Sequence, residues 1–150
     1  MLVPNSPEDV RAQLEGMDPA QRAEVSPDWL ALVHSVTTID PWILGFTVRD
    51  AATDAVVGSC GFKGPPGTDA TVEIAYGVSP EHEGKGYATE MAAALVTFAL
   101  ESGRVRVVRA HTLSATGASA RVLSKNGFRR IGDVVDPEDG LVSRWEYNRP

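Results

Sequence analysis

Cysteine occurs once in this 150-residue chain, at Cys60. A single thiol cannot close an internal disulfide, and it has no partners at metal-ligand spacing, so a disulfide-stapled or zinc-held domain is excluded. Its surroundings, Val56-Val57-Gly58-Ser59-Cys60-Gly61-Phe62, read as those of an ordinary buried thiol. Long apolar runs are also missing. The longest, Met91 to Leu100, is broken by Thr97 and falls well short of the ~20 residues a membrane span requires. The opening residues show no basic segment followed by an apolar stretch, so no secretory signal is recognised and a cytoplasmic location is expected. Basic excess is absent as well: 14 Lys and Arg stand against 20 Asp and Glu, a net charge of −6, and aromatics are only 7%. A nucleic-acid surface calls for net basicity and stacking rings, so neither nucleic acid nor membrane is expected as a partner.

What the chain does have is enough apolar content, 43% against 23% charged residues, to bury a core within one domain spanning 1–150. Its charge is distributed unevenly. Between Ser102 and Gly132 stand Arg104, Arg106, Arg109, Arg121, Lys125, Arg129 and Arg130 without one acid, whereas the first 28 residues carry six acids against Arg11 and Arg22. The basic segment is either a solvated face or a local anion site.

Periodicity and punctuation give the element order. Helical segments open at Ser6 or Pro7, at Pro19 and at Pro27. Trp42 to Arg49 and Ala55 to Phe62 read as strands joined in a hairpin across 50–54, and Val72 to Val78 as a third strand ended by Pro80. A long helix is expected from about Gly86 to Glu101, then a strand from Arg104 to His111 and a helix from Thr116 to Asn126 stopped by Gly127. Strands Phe128 to Val135 and Leu141 to Asn148 close the chain across the turn 136–140. This mixed order predicts an α+β fold with a central sheet rather than a doubly wound one.

The chemistry is expected between the third strand and the long helix. Glu83-Gly84-Lys85-Gly86-Tyr87-Ala88-Thr89 puts glycines where backbone amides at a helix start would face an anion such as a pyrophosphate, with Lys85 adding charge. The loop alone also fits an ordinary glycine-rich turn. A Walker loop is excluded because Ser79 and Gly86 stand where its first glycine and its hydroxyl residue belong, and a dinucleotide fingerprint is excluded by Thr89 in place of its third glycine.

Together, Val72-Glu73-Ile74-Ala75-Tyr76-Gly77-Val78-Ser79-Pro80 and Gly84-Lys85-Gly86-Tyr87-Ala88-Thr89-Glu90 resemble the GNAT N-acetyltransferases, whose signature is Gln/Arg-x-x-Gly-x-Gly/Ala after a strand. They are most similar to the branch of ribosomal-protein N-terminal acetyltransferases. Glu83 stands where the signature has Gln or Arg. Ser119 to Phe128 resembles the family's Asn-x-x-Ser helix ending in Lys-x-Gly-Phe, with Thr116 in the Asn position. The resemblance runs from Trp42 to the C-terminus, with Leu2-Val3-Pro4 as a stub of the family's first strand.

The resemblance implies a mixed sheet flanked by helices, with two central strands splayed into a cleft for acetyl-CoA. In that cleft the backbone of Tyr76, Gly77 and Val78 would pair with the pantetheine arm. Glu83, Gly84, Lys85, Gly86, Tyr87, Ala88 and Thr89 would cradle the pyrophosphate, with Arg121 and Lys125 close to the 3′-phosphate and Thr116, in the Asn position, beside the cofactor. It implies acetyl transfer to a primary amine of a protein or peptide in a direct ternary complex, without a metal. Glu73 is the candidate base, acting through water because a carboxylate is a much weaker base than an amine; a structural carboxylate is the alternative. Ser119 is the candidate donor to the departing thiolate, with helix capping as its alternative. Among the histidines only His111 suits a pocket wall. Rival functions are acetylation of a small amine such as an aminoglycoside or polyamine, and a non-catalytic acyl-CoA-binding module. The oligomeric state, monomer or homodimer, stays open.

Overall fold

The computed structural model describes residues 1–137 and 139–149. Glu138, within the expected 136–140 turn, and Pro150 lie outside the described residues. Three short helices, α1 (Pro7–Glu15), α2 (Pro19–Ala23) and α3 (Pro27–Ser35), follow a small strand β1 (Leu2–Pro4). Each begins with proline just inside a capping side chain: Ser6, Asp18 and Ser26 accept from the amides of Asp9, Gln21 and Trp29. A fourth helical turn, α4 (Pro41–Leu44), is capped by Asp40 and ends at Gly45, whose φ of +68° suits only glycine. The expected strand Trp42 to Arg49 is therefore shorter. Its first residues curl because a cap followed by proline outweighs β propensity, and strand β2 covers Phe46–Arg49.

The remaining elements are β3 (Val56–Phe62), β4 (Thr71–Val78), α5 (Tyr87–Glu101), β5 (Val107–Thr112), α6 (Ala118–Lys125), β6 (Arg129–Asp136) and β7 (Gly140–Asn148). Two further boundaries differ from expectation by more than one residue. β5 begins at Val107, not Arg104, and α6 begins at Ala118 with Gly117 as its cap. The sheet runs β1-β2-β3-β4-β5-β7-β6. Among the described residues only the central β4–β5 pair is parallel, and it is short: Thr71, Val72 and Glu73 face Val107, Val108 and Arg109, and pairing stops there. Beyond that point β4 stays paired to β3 as far as Val78, and β5 stays paired to β7 as far as Thr112. Each strand is held from outside while the two part in the middle, so the sheet opens into a wedge.

The principal core fills the sheet face under α5 and α6, with Met91, Leu95, Val108 and Leu123 fully buried. Each such side chain contributes about 2 kcal/mol on burial. Trp42, Phe46, Phe62 and Phe98 form an aromatic group at one edge of it. A second cluster, Val10, Leu14, Val33, Ile43 and Leu44, ties the N-terminal helices to the rest. The packing of α5 against β3 and β4 fixes where its first turn points, which is toward the mouth of the wedge.

Candidate active site

A cleft of about 620 Å³ opens where β4 and β5 part, walled by β4, the loop before α5 and the first turns of α5 and α6. Tyr76, Gly77, Val78, Glu83, Gly84, Gly86, Tyr87, Ala88, Thr89, Ser119, Arg121 and Lys125 all line it. Segments far apart in sequence thus share one hollow. Lys85 is exposed and, like Thr116, is not among the lining residues. Thr116 is occupied locally, its amide donating to Ser114 and its carbonyl accepting from Arg121. The basic segment also divides. Arg121 and Lys125 face the cleft, whereas Arg109 pairs with Glu146 at 2.8 Å, Arg130 pairs with Asp133, and Arg104 lies over Trp42.

The loop has the geometry of an anion cradle. Gly84 and Gly86 adopt φ of +77° and +88°, and a Cβ on either would project into open space rather than into protein. Gly86 is the N-cap of α5 and supplies no side-chain acceptor. The first amides of a 15-residue helix therefore face the cleft uncapped, with the positive end of the helix dipole behind them. Tyr87 opens that helix and donates its hydroxyl to the carboxylate of Asp50, on the β2–β3 turn. That bond, with the amides of Thr53 and Ala52, lowers the Asp50 pKa from 3.8 to about 2, and the same bond raises that of Tyr87.

Below the cleft lies a smaller chamber of about 190 Å³, lined by Lys63, Glu73, Tyr76, His111, Ser119 and Asp139 among others. Tyr76 and Ser119 line both spaces and form the partition between them. The Tyr76 hydroxyl donates to the Ser119 carbonyl at 3.4 Å, and burial raises its pKa. Ser119 does not cap α6, whose N-cap Gly117 has no side-chain bond. Glu73 sits at the last β4–β5 pair, at the apex of the wedge. One oxygen of its carboxylate, Oε2, meets Lys63 Nζ at 3.0 Å and His111 Nδ1 at 3.1 Å.

On its other side, His111 Nε2 meets Arg144 Nε at 3.1 Å. A guanidinium can only donate, so Nε2 is the lone-pair nitrogen and Nδ1 carries the hydrogen aimed at Glu73. Asp136 lies 3.9 Å from the same Nδ1. Burial works against the ammonium of Lys63, but the hydrogen bond and charge of Glu73, with Asp139 and Asp136 behind, raise its pKa overall. Lys63, Asp136, Asp139, Arg144 and the side chain of Tyr76, with His82 in the cleft wall, are the members that sequence reading missed. Lys63 was legible only as cross-strand neighbour of Glu73 across the hairpin turn, and Arg144 only through the β5–β7 register. Cys60 is buried and its thiol is pushed up to about 12, as expected of a structural cysteine. Among the described residues no cluster of three His, Cys, Asp or Glu could hold a metal ion, and no helix is long and apolar enough to cross a membrane.

Residues 2–129 match the acetyltransferase (GNAT) domain. The chain belongs to the GNAT acetyltransferase family. Among curated proteins, the "Uncharacterized N-acetyltransferase YjdG" of Bacillus subtilis (strain 168) is 33% identical over 92 residues, which are 61% of this chain and 52% of that protein. The "Uncharacterized N-acetyltransferase p20" of Bacillus licheniformis is 28% identical over 93 residues, 62% of this chain and 52% of that protein. The chain thus spans about half the length of the curated relatives it matches. Among solved structures, the aminoglycoside acetyltransferase AAC(6')-Ib in complex with coenzyme A superposes with a TM-score of 0.69 at 18% identity, covering 99% of this chain and 94% of that one. A chimera of the spermidine N-acetyltransferase SpeG from Vibrio cholerae and hSSAT gives 0.71 at 18% identity, covering 99% and 95%. These likenesses establish that the wedge-opened mixed sheet of this GNAT chain is the fold of its structural neighbours.

Proposed function

We propose that this protein is an N-acetyltransferase that carries acetyl from acetyl-CoA to a primary amine. The observation that carries the reading is the parting of β4 and β5 after Glu73 and Arg109, which opens directly onto the uncapped start of α5. The residues present fit coenzyme A. Gly84 and Gly86 leave the amides of the first turn open to a pyrophosphate, Arg121 and Lys125 stand beside them for further phosphates, and β4 from Tyr76 to Val78 has its β5-facing side unpaired for an extended amide-bearing arm.

When bound, acetyl-CoA supplies the activated acyl group. Glu73 takes the proton that the amine must lose, through a water in the chamber, and is oriented for this by His111 and Arg144. Ser119, on the partition and not spent on capping, donates to the sulfur that departs. Tyr76 fixes that partition through the Ser119 carbonyl. A non-catalytic acyl-CoA binder has no need of this second chamber.

The amine is inferred to belong to a protein or peptide terminus, as in the ribosomal-protein N-terminal acetyltransferases that the strand and loop residues resemble. A hollow of about 330 Å³ on the far side of Tyr76 is lined by Asn5, Trp29, Phe46, Ser59, Cys60 and Phe62 among others, with no acid among the described lining residues. A polycation such as an aminoglycoside or spermidine calls for several carboxylates there, whereas a peptide end brings one ammonium, to Glu73, and an otherwise uncharged backbone to this hollow. A cytoplasmic setting, where acetyl-CoA and nascent chains are both at hand, belongs to the same proposal.

The test is thermal. Acetyl-CoA should raise the melting temperature by mass action, and Gly86→Val should remove that shift. An unchanged shift in the variant, or none in the wild type, overturns the cofactor assignment. Thiol release with a peptide amine, and not with spermidine or kanamycin, decides the acceptor.

A further inference from the structure

The chamber beside Glu73 already contains a primary amine, and it is the protein's own. Lys63 Nζ lies 3.0 Å from Oε2 of Glu73, in a space also lined by Ser119 and Tyr76 of the cleft partition. Lys63 is held there by its backbone: its amide donates to the Glu73 carbonyl at 2.9 Å, so the two residues face each other across the β3–β4 turn. Its side chain is nevertheless partly open, 39% exposed, against 21% for Glu73, which leaves the ammonium room to swing toward the cleft. A reacting amine must stand within hydrogen-bond reach of its base, directly or through one water. Lys63 meets that condition without any acceptor bound.

We propose that Lys63 is a self-acetylation site, modified within its own chain from acetyl-CoA in the cleft. This rests on the reading of the cleft as an acetyl-CoA site and of Glu73 as its base. In the step, the Lys63 ammonium gives one proton to the Glu73 carboxylate through a water in the chamber, as an outside amine would, and the freed lone pair attacks the thioester carbonyl carbon. The C–N bond forms, the C–S bond breaks, and the departing thiolate takes the second nitrogen proton, leaving an amide on Lys63 and free coenzyme A. Glu73 then returns its proton to solvent, so one proton is released overall. The charges of Glu73, Asp136 and Asp139, which favour the ammonium over the nucleophilic amine, make the reaction slow at neutral pH and faster as pH rises. The product removes the cation from Glu73, and because an amide nitrogen is no longer a nucleophile the modification occurs once.

The chain has three lysines, Lys63, Lys85 and Lys125, and the last two are exposed, so solution acetylation has two built-in reporters. The full chain is incubated with acetyl-CoA at several protein concentrations and several pH values, then analysed by intact mass and peptide mapping, with the melting shift recorded in parallel. The expected result is one acetyl group on Lys63 ahead of Lys85 and Lys125, at a rate independent of protein concentration and rising with pH. The mark should be lost in Gly86→Val and at least tenfold slower in Glu73→Gln. Equal labelling of the three lysines, or labelling of Lys63 that survives Gly86→Val, assigns the mark to solution chemistry and overturns the proposal. A normal melting shift with no mark on Lys63 leaves a cross-strand ion pair only, and also overturns it while sparing the cofactor reading. No melting shift at all fails both.

Discussion

Arg144 Nε donates to His111 Nε2 across the β5–β7 pair, at 3.1 Å, and thereby sets which nitrogen of the imidazole faces Glu73. The carboxylate receives a hydrogen from Nδ1 because a guanidinium two strands away leaves the ring no other arrangement. Arg144→Met should therefore loosen Glu73 without touching the cleft. We expect kcat to fall about tenfold, the order of one hydrogen bond to a charged group, while the KM for acetyl-CoA stays unchanged. A parallel rise in that KM, measured in the same steady-state assay, would place Arg144 in cofactor binding instead.

Glu73→Gln keeps the shape of the side chain and removes its basicity. Turnover should drop by roughly 10²-fold near neutral pH, with the acetyl-CoA melting shift retained. The deficit should narrow as pH rises and more of the acceptor amine is already neutral. Unchanged turnover per folded molecule, with lower thermal stability, would make Glu73 a structural partner of Lys63 and His111.

Arg121 and Lys125 are the two cations of the basic segment that line the cleft. Replacing both by Gln should weaken coenzyme A binding in titration calorimetry, and the loss should be larger at low salt, where screening is weakest. Affinity equal to wild type at every ionic strength would return them to the solvated surface. Arg106, on the same segment but absent from the cleft lining, serves as the matched control.

The Tyr87–Asp50 bond makes an acid-sensitive contribution to stability. Because Asp50 has its pKa depressed from 3.8 to about 2 on folding, the stabilisation is present above about pH 4 and is lost as pH falls through about 2. Tyr87→Phe should melt lower than wild type near neutral pH, and the gap should close on acidification over that window. A gap that holds constant down to pH 2 in circular dichroism melts would show that the bond does not govern the Asp50 ionisation.

Local chemistry was legible without a fold. Ser6 or Pro7, Pro19 and Pro27 announced three helices, the β2–β3 hairpin and the β6–β7 pair followed from strand runs and the turn residues between them, and Gly84 and Gly86 before an Ala- and Leu-rich run announced the start of α5. Each depends on residues within a few positions of one another, and steric and hydrogen-bonding preferences act at that range. Trp42 reads as a strand residue by its β propensity, but the Asp40 cap and Pro41 outweigh that propensity and curl the chain into a helical turn, from which Trp42 packs against Phe62 and Phe98. What only the tertiary structure decided is the meeting of Lys63, Glu73, His111 and Arg144 from a turn and three strands. Their contact depends on strand order and register, which place Glu73 at the last rung before β4 and β5 part and bring β7 across to His111. Those relations are fixed by long-range pairing and by core packing beneath the sheet, and no local spacing in the chain encodes them.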